Sequence, residues 1–234
     1  MRGKGIVIIT NIIIICMLFA LTSVMFVQPG ATSVSVVVKN DLYYNGNKDN
    51  NNLTLMINVY WGTEYIDEML ATFKEYNVNT TFFVGGIWVK KYPEVLQKIS
   101  QAGHEIGNHG YTHKEHSKLN YQANQEEILQ THNMVKQILK IDMNLFAPPS
   151  GDYNDTTIQG ASALGYKTIM WTRDTIDWRD QDEELIYSRA IKNIGKGDFV
   201  LMHPTQCTVK ALPRILEYCK NNNYNVSTIS DNLK

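Results

Sequence analysis

From Leu53 onward, strand-like and helix-like segments alternate about seven times, and this alternation most narrows what the chain can fold into. LTLMINVY (53–60) is an apolar, strand-like run, and EYIDEMLATFKEY (64–76) carries Ile66, Met69, Leu70 and Phe73 at helical spacing. NTTFFVG (79–85) is a β-branched and aromatic strand. YPEVLQKISQAG (92–103) is a short helix with Pro near its start and Gly at its end. The pattern continues through HEIGNH, the amphipathic helix 121–140, MNLFAPP, a helix near 154–164 and YKTIMWT. A helix from about 182 to 194, the strand DFVLMH, a helix marked by Leu212, Ile215, Leu216 and Cys219, and the strand YNVSTIS complete it. Such an order calls for an α/β fold of parallel strands and crossover helices, either a β/α barrel or a doubly wound sheet. The barrel is favoured because the chemically distinctive residues follow strands, where a barrel gathers its loops on one face. They are Tyr60, Trp61 and Gly62, then His109 and His113, Pro148 and Pro149, Asp174, and His203.

The N-terminus has a different character. Arg2 and Lys4 precede Gly5–Val27, an apolar stretch almost free of charge and long enough to span a bilayer. Residues 1–27 are expected to act as a signal anchor, the basic residues staying inside, or as a cleaved signal peptide. In both cases the remainder is extracytoplasmic. Residues 28–52, with the polar run NGNKDNNN (45–52), read as a linker, and 53–234 as the folded domain. A net charge of −1 and a pI of about 6.6 give no basic surface for nucleic acid. Cys207 and Cys219 could pair outside the membrane, although Cys219 also fits the apolar face of its helix.

GHEIGNHGYTHKEH (103–116) packs four of the chain's six histidines into fourteen residues. Two imidazoles four residues apart in a strand-to-helix loop, His109 and His113, can share one divalent ion. His104 opens a strand and is expected to be packed or hydrogen-bonded. His116, after a Lys-Glu pair, is expected to be solvated.

GHEIGNHGYTH, with TTFFVGG before it and FAPPSGDYN, WTRDTIDW and FVLMHP after it, resembles the polysaccharide deacetylase family, the NodB-homology domain of carbohydrate esterases. The resemblance spans roughly residues 53 to 230, and INVYWG and HPT are nearest in flavour to its spore-associated and clostridial branch. It implies a distorted β/α barrel, a divalent metal (usually zinc), and hydrolysis of N-acetyl groups, in some members O-acetyl groups, on chitin-like or peptidoglycan sugars. By the same resemblance His109 and His113 are the metal ligands and His203 is the general acid. Asp174 orients that acid, Asp177 and Trp178 belong to the same stretch with Trp178 a wall of the site, and Pro148 and Pro149 match the proline pair.

Three positions depart from the family pattern. Tyr60 stands where the base aspartate is expected, Trp61 where the ligand aspartate is expected, and Ala147 where an arginine is expected. In family members that arginine pairs with the base, so their joint loss is coherent, because an unpaired buried guanidinium is costly. Loss of a positioned base costs about 10²–10⁴ in rate. Loss of an anionic ligand leaves two histidines where three protein ligands are usual. Asn58 and Asp152 are the candidate substitutes for the lost acids, Asp152 reading equally as a turn or helix cap. Tyr60 and Trp61 suit sugar stacking or a plug. Two functions remain open: a metal-dependent deacetylase of cell-wall or spore-wall amino sugars with altered or reduced catalysis, or a silent glycan-binding or wall-assembly domain. No G-x-S-x-G elbow supports a serine hydrolase.

Overall fold

The structure is a computed structural model, and it describes residues 41–234. The anchor or signal segment expected over 1–27 lies outside those residues. No helix among the described residues is long and apolar enough to cross a membrane.

The strands are β1 (Leu42–Tyr43), β2 (Asn52–Val59), β3 (Thr81–Val84), β4 (Glu105–Asn108), β5 (Leu145–Phe146), β6 (Lys167–Ile169), β7 (Arg173–Asp174), β8 (Phe199–Met202) and β9 (Asn225–Val226). They form one parallel sheet in the order β1-β6-β5-β4-β3-β2-β8-β7, with β9 also on β2. Around it run α1 (Ile66–Glu75), α2 (Gly86–Lys91), α3 (Pro93–Gln101), α4 (Tyr121–Leu139), α5 (Asp155–Ala163), α6 (Glu183–Ile191), α7 (Gln206–Asn221) and α8 (Ile229–Asn232).

The sheet curls without closing. β1 and β7 are its two edges, and Met170–Thr172 crosses the seam between them. The Met170 N–H donates to Tyr43 on one side and the Thr172 N–H to Phe199 on the other. The barrel inferred from sequence is therefore an open one with parallel strands.

The curl divides the core in two. β2 is buried almost throughout, as a strand covered on both faces must be. Its Leu53, Leu55, Ile57 and Val59 join the cluster beneath the helices. Met56 faces the smaller interior cluster with Phe83, Leu145, Ala147, Ile169, Phe199 and Leu201. Alternation therefore places Asn58 on the interior side, at the mouth of the curl. The helical spacings read from sequence hold: Ile66, Met69 and Phe73 of α1 are buried, as are Leu212, Ile215, Leu216 and Cys219 of α7. Both cysteines in the described residues are free, and burial pushes the Cys219 thiol up to about 12.

Residues 41–52, read from sequence as part of a linker, pack against the domain. Gly46 N–H donates to Gly197, Asn47 N–H to Asn232, and β1 adds an edge strand against β6.

Candidate functional site

The histidine loop leaves β4 at its C-terminal end. His109 N–H donates to Val84, and Gly86 and Ile87 at the start of α2 donate to Gly110 and Tyr111, so the loop is stitched to the sheet edge. Gly110 turns through φ 70, and an added Cβ would come 3.1 Å from His116 Nε2. Glu127 reaches up from α4. Its carboxylate accepts from Tyr111 N, Thr112 N and Thr112 Oγ1 at 2.6–2.9 Å, and Lys114 Nζ stands 3.3 Å away. Burial opposes its charge, but the hydrogen bonds from Thr112, Lys114 and Tyr111 outweigh burial and hold the carboxyl below its ordinary pKa.

His109 is buried, and its Nδ1 makes a 2.7 Å bond to the Ala147 carbonyl. A carbonyl accepts only, so Nδ1 carries the proton and Nε2 presents a lone pair. Burial, with neighbouring His113, keeps the pKa of this imidazole well below its ordinary value. The ring centroids of His109 and His113 lie 5.1 Å apart.

His203 follows β8. Its Nδ1 is 2.7 Å from Asp177 Oδ1, and its own N–H donates to Asp177 Oδ2 at 2.6 Å. Thr208 Oγ1 in the first turn of α7 also donates to Asp177 Oδ2, at 2.5 Å. The residue that orients His203 is thus Asp177, not Asp174. Ile176 adopts a left-handed φ of 54 and turns the chain inward, so Asp177 is carried beneath His203. Asp174, three residues earlier, accepts from Ile176 N–H at 2.8 Å and faces the cleft. Burial raises its carboxyl pKa.

Between these groups stand Tyr60 and Trp61, just beyond the end of β2. The Tyr60 ring stacks on His113 at 4.1 Å and 27° between planes. Trp61 stacks on His203 at 5.3 Å and 22°. A cleft of about 400 Å³ opens beside them, lined by Asn58, Trp61, His109, His113, Ser150, Trp171, Asp174, Trp178, Leu201 and His203.

Residues 45–169 match the sequence profile of the polysaccharide deacetylase family. The chain belongs to that family. It is 36% identical over 188 residues to YlxY of Bacillus subtilis, covering 80% of this chain but 59% of that protein, so it spans well under two thirds of YlxY's length. It is 32% identical over 176 residues to a peptidoglycan-N-acetylglucosamine deacetylase of Bacillus cereus, covering 73% of this chain and 82% of that one. Among solved structures it is similar to BA3943, a CE4-family pseudoenzyme of Bacillus anthracis. The TM-score is 0.80 at 35% identity, covering 82% of this chain and 69% of that one.

A polysaccharide deacetylase that works through a zinc ion needs about three protein ligands and an open position. Among the described residues, no group of three or more His, Cys, Asp or Glu stands together to hold a metal. The His109 lone pair is in ligand form, but Trp61 supplies no oxygen and Tyr60 lies flat on His113. This donor set does not fit a zinc centre of that kind. Ala147 is packed in the interior cluster, so the position of the expected arginine is filled with methyl and apolar neighbours.

Other residues singled out from the sequence fall unevenly. Asn58 and Trp178 line the cleft, and Trp178 is 55% exposed. Pro148 and Pro149 are buried beneath it and do not line it, whereas the next residue, Ser150, does, at a left-handed φ of 56. Asp152 is turned away, its two oxygens accepting from Ser117 N and Oγ at 2.8 Å, and α5 is capped by Asn154 instead. It therefore replaces no lost acid. His104 is buried between Phe73 and Phe82 and accepts from Thr80 N–H. His116 is fully buried rather than solvated, because Asn124 Oδ1 of α4 accepts a hydrogen bond from its Nδ1 at 2.7 Å and holds the ring under the loop. Trp171 was not foreseen as part of the site. Its place in the seam follows from the sheet's failure to close, which no local pattern announces.

Proposed function

We infer that this protein is a polysaccharide deacetylase relative with little or no hydrolytic capacity, and that it uses the old active-site cleft to bind an amino-sugar glycan of the cell or spore wall. The observation that carries this reading is the pair of aromatic rings, Tyr60 on His113 and Trp61 on His203, where the family's base and ligand acids stand. Deacetylation needs a polarised carbonyl, an activated water and an acid for the leaving nitrogen. Here the His203–Asp177 pair can still hold and deliver a proton at Nε2, since Asp177 fixes the Nδ1–H tautomer. Among the described residues Asp174 is the only carboxylate lining the cleft, and positions 60 and 61 carry none to activate water. A missing base raises the barrier by about 3–5 kcal/mol, and the deficient metal site adds to that.

What the cleft retains suits binding. Trp61, Trp171 and Trp178 present broad apolar faces with polar groups between them, the mixture that sugar rings require. The pseudoenzyme character of BA3943 and the peptidoglycan substrate named for the Bacillus cereus relative support the same assignment. So does the apolar N-terminal segment, which would hold the domain at the outer face of the cytoplasmic membrane.

The test is acetate release by the full chain from N-acetylglucosamine oligomers and peptidoglycan with added zinc, beside a triple variant Tyr60→Asp, Trp61→Asp, Ala147→Arg. The expected result is glycan binding without measurable release in the native chain, and zinc binding with release in the variant. A BA3943 variant is itself described as having restored enzymatic activity. Native release within about tenfold of the variant would overturn the reading, and would favour a deacetylase that works with rearranged groups.

A further inference from the structure

The cleft lining carries one carboxylate, Asp174, beside three tryptophan π-faces and the neutral polar groups Asn58 and Ser150. His109 offers a lone pair at Nε2, and His113 and His203, each covered on one face by Tyr60 or Trp61, complete the polar lining. Among the described residues no lysine or arginine lines the cleft. The nearby cations are engaged elsewhere. Arg189 is held by Asp180 and the Thr175 carbonyl, and Arg179 by Asp180. Among the described residues none forms an ion pair with Asp174, whose only hydrogen bond there is from Ile176 N–H. The Asn58 amide oxygen is buried without a partner among the described residues. A half-buried carboxylate with a single hydrogen bond carries a cost that a donor-rich cation would relieve.

We propose that the cleft selects the de-N-acetylated, positively charged form of the amino sugar, so that it reads the product of deacetylation rather than the acetylated substrate. An N-acetyl group brings a carbonyl oxygen that needs a strong donor or a metal, and the residues for both are reduced here. A hexosamine ammonium brings three N–H donors and a positive charge. It would meet the Asp174 carboxylate, with His109 Nε2 as a further acceptor in the same cleft and cation–π attraction from the tryptophan faces. The sugar ring commits the occupant to a glycan, since a bare amine would leave the broad Trp61 and Trp178 surfaces uncovered. Trp61 is 43% exposed and Trp178 is 55% exposed. The class of reaction that must supply this ligand is hydrolytic N-deacetylation by another enzyme. The inference rests on the cleft being a glycan site.

The test is calorimetric titration of the full chain with the tetramer of glucosamine, the tetramer of N-acetylglucosamine, and the diamine cadaverine. The glucosamine tetramer is expected to bind at least about tenfold more tightly than either of the others. Asp174→Asn is expected to bring the ratio between the two tetramers close to one, and added salt should shrink it in the native chain. Equal binding of the tetramers, or preference for the acetylated one, would overturn the inference while leaving the glycan site standing. Cadaverine binding as tightly as the glucosamine tetramer would overturn the role of the sugar ring. Binding of neither tetramer would remove the glycan site and the inference together. A near-ultraviolet circular dichroism spectrum unchanged in Asp174→Asn separates loss of charge from loss of fold.

Discussion

Asp174 and Asp177 are three residues apart, and the fold gives them opposite duties. Asp177 accepts three hydrogen bonds in a fully buried position, from His203 N, His203 Nδ1 and Thr208 Oγ1. Asp177→Ala leaves all three donors unsatisfied and should lower unfolding stability by about 2–4 kcal/mol. Asp174→Ala removes one turn-closing bond and should cost about 1 kcal/mol or less. Parallel urea denaturation of the two variants checks this ordering, and similar losses would contradict it. The sequence identified the stretch and the pairing type but chose the wrong aspartate. The left-handed turn at Ile176 is what swaps them, and an isoleucine in that conformation leaves no signal in composition or spacing. His116 shows the same limit. Its burial depends on Asn124, a polar residue on the inner face of α4, where a surface reading of Lys114 and Glu115 pointed the other way.

At the scale of elements, loops that carry chemistry are held by neighbours that do not. Glu127 is the support of the histidine loop. Glu127→Gln keeps the shape but replaces one acceptor oxygen with a donor facing N–H groups. The expected loss is about 1–3 kcal/mol, with faster amide exchange at Tyr111 and Thr112 by nuclear magnetic resonance. Exchange unchanged at those two amides would argue that the turn at Gly110 holds the loop alone. The cap of α5 makes a smaller case. Asn154 and Thr157 exchange reciprocal bonds in a capping box, so Asn154→Ala should cost about 1 kcal/mol in thermal or urea unfolding. The helices themselves were legible, since their apolar spacing reports burial directly. β1 and β7 were not, because each is two residues long with no apolar run of its own to announce it, and owes its existence to partners far along the chain. The ordered course of residues 41–52 escaped for a related reason. A run of Asn, Asp and Gly reads as solvated, yet here its amides donate to Gly197 and to the C-terminal residues, and Asn225 N–H donates to the Asn51 carbonyl.

For the whole molecule, the buried histidines set an acid limit. Burial lowers His104 from its ordinary 6.5 to about 4. Below pH 6.5 the unfolded chain therefore binds a proton that the folded chain refuses, and stability falls as pH falls toward 4. The full difference is on the order of 3 kcal/mol, present above pH 6.5 and lost by about pH 4. His116, lowered in the same direction by burial, acts with the same sign. Urea melts between pH 7 and 4 should show this decline, and His104→Gln should flatten it. A slope unchanged in that variant would place the acid sensitivity elsewhere.

The last residue of β2 that the core claims is Val59. Tyr60 is half-buried and Trp61 exposed, both already past the packed strand. The two positions where the family resemblance expects the base and ligand acids are thus among the cheapest to alter without disturbing folding. Ala147 sits in the interior, but a small apolar residue there asks nothing of its neighbours. A lineage could therefore cross from catalyst to reader by a few substitutions that selection for a stable fold would not resist. The return is cheap at positions 60 and 61 only, since at 147 it must place a guanidinium in the apolar interior cluster, which is tolerable only once a carboxylate stands at 60 to pair with it.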